Sequence, residues 1–308
     1  MSKLDKIEEL QNLLREDPQN FQARRQLAVL LTDCGFCEEA LKNFLYLSKT
    51  FANDSEIFYN LGIVYEKLKN FKKAKESYKK AIEIEPDAID AIYNLGLVCT
   101  DLKEFDTAIS CFEKVISDDN QDSNSYFNLG LVYFKMQNYE KAIGYFQKTI
   151  DINNEDIYAH FYLGNIYKHI GANEDARSEF TKVLDISPDY SWAYYNLAVL
   201  DYENGDIENS LNHLEQTIQL NPLDIDAYKI YIKILAKIGN YEDAEEIINI
   251  ALENCGENGD LYYLAGRLCA LQGDNIKYRL NLQNALKNYK TLSISVPVLK
   301  TELSKISL

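Results

Sequence analysis

The sequence predicts an all-α fold, an α-solenoid of antiparallel helix pairs, because small side chains recur every 34 residues in two parallel columns. Seven of the eight members of the first column are Gly or Ala. They are Ala28, Gly62, Gly96, Gly130, Gly164, Ala198, Ile232 and Gly266. The second column, twelve residues later, consists of Ala40, Ala74, Ala108, Ala142, Ala176, Ser210, Ala244 and Tyr278. Small residues at matching heights on consecutive helices let the two backbones approach closely, so the sequence predicts eight two-helix units.

Large apolar residues accompany both small columns and define the predicted core. Leucines precede the first column at Leu27, Leu61, Leu95, Leu129, Leu163 and Leu197. The second column is followed by Phe44, Tyr78, Phe112, Phe146, Phe180, Leu214, Ile248 and Leu282. Within each unit the apolar residues recur at intervals of three and four, which is typical of a helix with one buried face.

Turn-forming residues fall at two fixed places in the period. Gly35, Gly171, Gly205, Gly239 and Gly273 share one phase. A helix that ends there with a positive φ favours glycine. Between units, Pro86, Pro188 and Pro222 are in phase with Asn120, Asn154 and Gly256, which are also turn formers.

The pattern divides the chain into three predicted segments. Residues 1–20 form a half-repeat, a capping helix that covers the first full unit, and residues 21–292 hold the eight repeats. Residues 293–308 form a closing helix with Pro297 near its start and Leu299, Leu303 and Ile306 on one face. Covers of this kind are expected because each unit buries its apolar face only against its neighbours.

Composition restricts the class of partner. The formal charge of −16 repels phosphate backbones, so neither nucleic acid nor an anionic membrane surface is expected as a partner. Charged residues interrupt the N-terminus, and no apolar run reaches the length of a membrane span, so the sequence predicts a cytoplasmic protein without membrane insertion. The six cysteines are predicted to be free thiols, and Cys34 and Cys37, in a turn between two helices, lack the context of a redox dithiol. No cofactor, metal site or catalytic motif is predicted.

These features resemble the tetratricopeptide repeat over about residues 1–292. Unit two carries the family's signature columns in Phe58–Gly62, Tyr65, Ala74, Tyr78, Ala81 and Pro86. The resemblance implies a right-handed superhelix whose first helices line a concave groove that holds an extended peptide or a partner's helix.

Two columns on the first helices are the predicted peptide-binding groove. The polar column contains Asn60, Asn94, Asn128 and Asn196 and resembles the asparagine ladder in the repeat region of O-GlcNAc transferase. Each Asn side chain offers a donor and an acceptor to a peptide backbone of any sequence. The aromatic column contains Tyr59, Tyr93, Phe127, Phe161, Tyr195 and Tyr263, with Trp192 nearby. Aromatic residues anchor interfaces well, although packing between neighbouring helices also accounts for this column.

A basic stripe is the second predicted site. Lys229, Lys233 and Lys237 are spaced by four on the first helix of unit seven, and Arg267 occupies the phase of Lys233 one unit later. Such a cluster in an acidic chain indicates an acidic segment or a C-terminal carboxylate as ligand. The alternative is a solvated face paired with acidic residues of unit eight.

Four positions depart from the repeat pattern, among them Tyr278 in the second small column, opposite Gly266. Tyr231 and Ile232 replace the Leu and Gly expected in unit seven, which predicts wider helix spacing or a hinge there. Asp201 stands in a column otherwise held by tyrosine, leucine or cysteine. Because an unpaired buried carboxylate is costly, Asp201 is expected to be partly solvated.

The sequence therefore predicts a scaffold or adaptor that binds other proteins and has no catalytic site. The alternative function is a substrate-recruiting subunit of an enzyme system, such as a glycosyltransferase or a chaperone, whose catalytic part is on another chain. Self-association through the terminal helices is a third hypothesis.

Overall fold

The computed structural model describes residues 2–306, and this part of the chain folds into eighteen α-helices and one short 3-10 helix, without strands. The all-α helical-repeat prediction is thereby confirmed. The predicted terminal segments include Met1 and positions 307–308, which lie outside the described residues. The chain divides into two compact units, Met1–Ala159 and His160–Leu308.

The first unit is built from helices that alternate in the order the periodicity predicts. They are α1 (Lys3–Glu16), α2 (Phe21–Asp33), α3 (Cys37–Thr50), α4 (Ser55–Lys67), α5 (Phe71–Ile84), α6 (Ile89–Asp101), α7 (Phe105–Asp118), α8 (Ser123–Lys135) and α9 (Tyr139–Ile152). Helix α10 (Ile157–His169) contains the point at which the chain passes into the second unit.

The second unit continues with helices of similar length. They are α11 (Asn173–Ile186), α12 (Ser191–Asn204), α13 (Ile207–Leu220), α14 (Ile225–Lys237), α15 (Tyr241–Cys255), α16 (Gly259–Leu271), α17 (Asn275–Lys287), the 3-10 helix Tyr289–Thr291 and α18 (Val296–Lys305). Within residues 2–306, no helix has both the length and the apolar character needed to cross a membrane.

Polar residues in the connecting turns start many of these helices. The side chains of Asp54, Asn70, Asp122 and Asn138 each accept a hydrogen bond from the backbone N–H three residues later. Each of these bonds satisfies one of the backbone donors that a helix N-terminus leaves without an internal partner. These four turns thus each carry a start signal for the helix of 13 or 14 residues that follows.

The predicted core columns are confirmed. Tyr78, Phe112 and Phe146 are fully buried, and the alanines of the second small column that precede them have no exposed surface. A Cβ added to Gly130 would lie 2.7 Å from the ring of Phe146, and one added to Gly96 would lie 2.8 Å from Phe112. The small column thus provides the space into which the large column packs.

The irregular repeats keep a packed core. Ile232 is 1% exposed and packs with Tyr228, Leu235 and Ile248 in the second unit. The hinge at Ile232 stays a prediction. At the end of the unit, the hydroxyl of Tyr278 donates a hydrogen bond to Glu302 of α18, and its ring lies against Gly266.

Candidate functional site

In the first unit, the asparagines of the polar column are partly exposed and use their amide groups as donors. The amide of Asn60 donates to the carbonyl oxygen of Glu56 at 2.8 Å. The amide of Asn128 donates both to the carbonyl of Asn124 at 2.8 Å and to the hydroxyl of Tyr93 at 2.9 Å. Asn94 reaches the hydroxyl of Tyr59, in the preceding repeat, at 3.4 Å. These bonds fix the amides and leave the carbonyl oxygens of the side chains as the acceptors offered to a ligand.

The aromatic column of the first unit packs against the second helix of its own repeat. The ring centroids are 6.0 Å apart for Tyr59 and Tyr78, 5.7 Å for Tyr93 and Phe112, and 5.5 Å for Phe127 and Phe146. The members of the column are half-buried, so each has one face in the core and one at the surface. Packing against the second helix therefore explains the buried face of each ring. The exposed edge of each ring is available to a ligand.

Burial changes the acid-base properties of the two tyrosines. It raises the pKa of Tyr59, and the nearby carboxylate of Asp90 adds to this effect. It likewise raises the pKa of Tyr93. Both hydroxyls therefore stay protonated at neutral pH and can act as donors as well as acceptors.

Two cavities of the first unit occupy equivalent places in successive repeats. The cavity beside Tyr59 has a volume of about 300 Å³ and the one beside Tyr93 about 390 Å³. Carboxylates line both cavities. They are Glu56, Glu85, Asp87 and Asp90 in the first, and Asp90, Asp118, Asp119 and Asp122 in the second. The surface thus repeats an aromatic ring with acidic neighbours at the spacing of the repeat.

In the second unit, the same two columns have a different environment. Tyr195, Trp192, Phe161 and Tyr190 surround a cavity of about 400 Å³. Asn196 is only 4% exposed; its amide donates to the carbonyl of Trp192 at 2.8 Å, and its side-chain oxygen accepts from Lys168. The oxygen of Asn196 is thus already engaged, unlike those of Asn60 and Asn128.

The structure distributes the predicted basic stripe among several internal contacts. Lys229 pairs with Asp226 at 3.0 Å and with Asp260 of the next first helix at 3.2 Å. Lys237 donates to the hydroxyl of Tyr202 at 3.1 Å. Arg267 pairs with Glu302 of α18 at 3.1 Å. Lys233 is exposed. The contact of Lys229 with Asp260 is the kind expected from pairing with acidic residues of unit eight.

The expectation that Asp201 is partly solvated is wrong. It is 1% exposed, and its two oxygens accept from Arg177 at 2.5 Å and from Nδ1 of His213 at 2.7 Å. These contacts replace the water that a buried carboxylate loses. Residues twelve apart face each other across a helix pair, as the two small columns already indicate, so the interval between Asp201 and His213 was the available signal.

A second buried polar contact was also missed. Nδ1 of His160 lies 2.6 Å from Glu179, which also accepts from Lys182 at 2.8 Å. Burial opposes ionisation of Glu179, but the hydrogen bonds from His160 and Lys182 outweigh it and keep the pKa of this carboxyl below its usual value.

The cysteines and the metal-binding residue types form no chemical centre in the part of the chain that is described. No group of three or more His, Cys, Asp or Glu side chains there has the arrangement of a metal site. Burial raises the pKa of the Cys99 thiol to about 11 and that of Cys111 to about 12. Cys34 and Cys37 are free and half-buried.

Three family models match parts of the sequence. Two describe the tetratricopeptide repeat, at residues 55–88 and 202–268. The third describes subunit 3 of the anaphase-promoting complex, or cyclosome, and matches residues 103–183. No curated protein sequence matches the chain.

Solved structures of repeat proteins resemble the fold. MamA residues 41–end from Desulfovibrio magneticus RS-1 is 27% identical, with a TM-score of 0.53, over 56% of this chain and 97% of that one. The C-terminal part of a TPR repeat-containing protein from Cytophaga hutchinsonii is 17% identical, with a TM-score of 0.59, over 87% and 96%. A tetratricopeptide repeat protein from Parabacteroides merdae is 19% identical, with a TM-score of 0.57, over 81% and 97%. At these lower identities the last two show the fold alone. Together with the 34-residue helix pairs, the family matches show that the chain contains tetratricopeptide repeats, at residues 55–88 and 202–268.

Proposed function

We propose that this protein is an interaction scaffold that binds an extended segment of a partner protein along its first helices, and that it performs no catalysis. The observation that carries the proposal is the pair of equivalent cavities beside Tyr59 and Tyr93. An extended chain presents chemically similar backbone groups at regular intervals, so a surface with a regular repeat suits such a ligand.

The contacts of the first unit support this mode of binding. The free side-chain oxygens of Asn60, Asn94 and Asn128 are acceptors for backbone N–H groups, which every peptide except one made of proline supplies. Such a row of asparagines resembles the asparagine ladder in the repeat region of O-GlcNAc transferase. Backbone recognition gives affinity without demanding one particular sequence.

The carboxylates beside each cavity determine which segments bind best. Asp90 and Asp118 are exposed, and Asp90 lies at both cavities. A segment that carries Lys or Arg at suitable intervals would pair with these carboxylates, whereas an acidic segment would be repelled. The preferred ligand is therefore a basic, extended peptide.

A selection of random peptides on the full chain tests the proposal. We expect the selected peptides to be enriched in Lys and Arg. Their affinity should fall by about tenfold or more when Asn94→Ala and Asn128→Ala are combined with Asp90→Ala, because each substitution removes a direct contact. The control variant combines Ser110→Ala with Gln147→Ala, two exposed positions on second helices. Binding is measured by fluorescence anisotropy and folding by circular dichroism. Selected peptides that bind the triple variant and the wild type equally would exclude this surface.

A further inference from the structure

Three residues of the eighth repeat are apolar and exposed. At the same three positions, all seven of the other repeats carry polar, charged or small residues. Leu271 is 57% exposed, Ile276 is 73% exposed and Leu280 is 54% exposed. Leu271 ends α16, and the other two lie one turn apart on α17. The period of 34 residues provides seven internal comparisons for each of them.

The comparison is consistent at all three positions. The counterparts of Leu271 are Asp33, Lys67, Asp101, Lys135, His169, Glu203 and Lys237. Those of Ile276 are Glu38, Lys72, Asp106, Glu140, Glu174, Glu208 and Glu242. Those of Leu280 are Lys42, Glu76, Ser110, Gly144, Ser178, Asn212 and Glu246. All the counterparts of Ile276 and Leu280 are exposed.

Because the counterparts stay exposed within the stack, these positions are not needed to pack one repeat on the next. Packing of the repeats therefore does not explain an isoleucine at position 276 or a leucine at position 280. Exposed apolar side chains in a group mark an interaction site more often than isolated ones do.

The charge around the three residues differs from that of the two repeats before them. Residues 271–306 contain six basic side chains and two acidic side chains, Asp274 and Glu302. Asp274 caps the start of α17, and Glu302 is engaged by Arg267 and Tyr278. Residues 199–260, in contrast, contain fourteen acidic and three basic side chains. Next to Ile276, the side chain of Lys277 is 62% exposed, with its ammonium 4.0 Å from Asp274, and Lys287 is exposed at the far end of α17.

We propose that the outer face of α17, centred on Ile276 and Leu280, is a second docking surface that binds an acidic amphipathic helix of another protein. The apolar pair supplies the buried contact, and Lys277 and Lys287 pair with carboxylates on the flanks of the ligand. A second copy of this chain using the same face would bring Lys277 and Lys287 against their equivalents, and like charges disfavour that pairing. This surface lies outside the first-helix surface proposed above, so the two proposals stand or fall separately.

A synthetic probe tests the surface directly. The probe is a fluorescein-labelled 18-residue helix with leucine at every third or fourth position and glutamate on the flanks. The test variant Ile276→Glu/Leu280→Ser copies the pair Glu174 and Ser178 of repeat five, so it is expected to fold. We expect this variant to weaken binding of the probe by about tenfold or more, since two apolar side chains leave the interface.

Two further variants separate the apolar contact from the charge. Lys277→Glu/Lys287→Glu keeps the apolar pair and should also weaken the probe, and added salt should reduce the difference from wild type. The matched control, Glu174→Ile/Ser178→Leu, installs the apolar pair in repeat five beside Asp175 and should not create a second site for the probe.

Amide hydrogen exchange of the wild type, measured with and without the probe, should show protection by the probe only in α17 and its neighbours.

Three results would each overturn the proposal. The first is equal affinity of the probe for the wild type and for Ile276→Glu/Leu280→Ser. The second is equal affinity for the wild type and the lysine variant, which would mean that charge has no part. The third is self-association in sedimentation that Ile276→Glu/Leu280→Ser abolishes, which would make a second copy the occupant.

Discussion

At the scale of single residues, the aromatic rings of the facing helices explain why the first small column contains glycines. Gly130 lies in the middle of α8, where glycine is unfavourable compared with alanine by about 0.5–1 kcal/mol. It is nevertheless required there, because a methyl group would lie 2.7 Å from the fully buried ring of Phe146. Because the ring is fully buried, we expect the cost of crowding to exceed the gain in helix propensity.

We therefore expect Gly130→Ala to lower the free energy of unfolding by about 1–3 kcal/mol, the usual cost of overpacking a core. Gly144 is the matched control, because it lies within α9 and has nothing within 4 Å of an added Cβ. Gly144→Ala should raise the free energy of unfolding by about 0.5–1 kcal/mol. Urea denaturation measures the free energy of unfolding of both variants. A Gly130→Ala variant more stable than the wild type would mean that α8 and α9 leave room for a methyl group between them.

The residue scale also marks a limit of sequence reasoning. The columns predicted that Leu129 and Phe146 are buried, because large apolar side chains recur at these two positions in nearly every repeat. Asp201 occurs once, so no column revealed Arg177 as a partner, and only the twelve-residue interval indicated His213. Similarly, the periodicity placed Asn196 in line with Asn128 but could not predict that Lys168 occupies its oxygen. Repetition predicts shared features, and single ion pairs depend on neighbours that only the folded chain brings together.

At the scale of the helix pair, every turn within a pair uses the same backbone conformation. Gly35 has a φ of +83°, as its phase predicted, but Lys69, Lys103 and Gln137 occupy the same phase with φ between 58° and 60°. The left-handed conformation is costly for residues with a Cβ, by about 1–2 kcal/mol. The sequence did not indicate a positive φ at these three positions because they lack glycine.

Lys103→Gly should accordingly raise the free energy of unfolding by about 0.5–1 kcal/mol, since the relief of strain exceeds the added entropy of the unfolded chain. The control is Lys79→Gly, at an exposed position inside α5. There the same change should lower stability by about 1 kcal/mol, because glycine disfavours a helix. Thermal denaturation of both variants measures these changes in stability. Destabilisation by Lys103→Gly would show that the lysine side chain itself stabilises the turn.

At the scale of the whole molecule, stability in a repeat protein is a sum of neighbour contacts. The predicted closing segment 293–308 contains α18, whose Leu299 has no exposed surface and packs with Leu282 and Ala285 of α17. The segment before α18 is also held, because Ser293 donates from its backbone N–H and its hydroxyl to Asp260 at 2.6 and 2.5 Å. These contacts reach α16 and α17 and no earlier repeat, so any effect of loosening α18 should be local.

Leu299→Ala tests this expectation, because it removes the central apolar contact of α18 while leaving the helix sequence otherwise intact. Amide hydrogen exchange should become faster in α18 and in α17, since the cover of the last core is weakened. Exchange in α2 to α5 should not change, because each repeat of a repeat protein is stabilised by its immediate neighbours in the sequence. The matched control is Val298→Ala, one residue earlier and 55% exposed, which should leave exchange unaltered throughout. Faster exchange across all the helices in Leu299→Ala would instead mean that the chain unfolds as one cooperative body, in which the last helix supports the first.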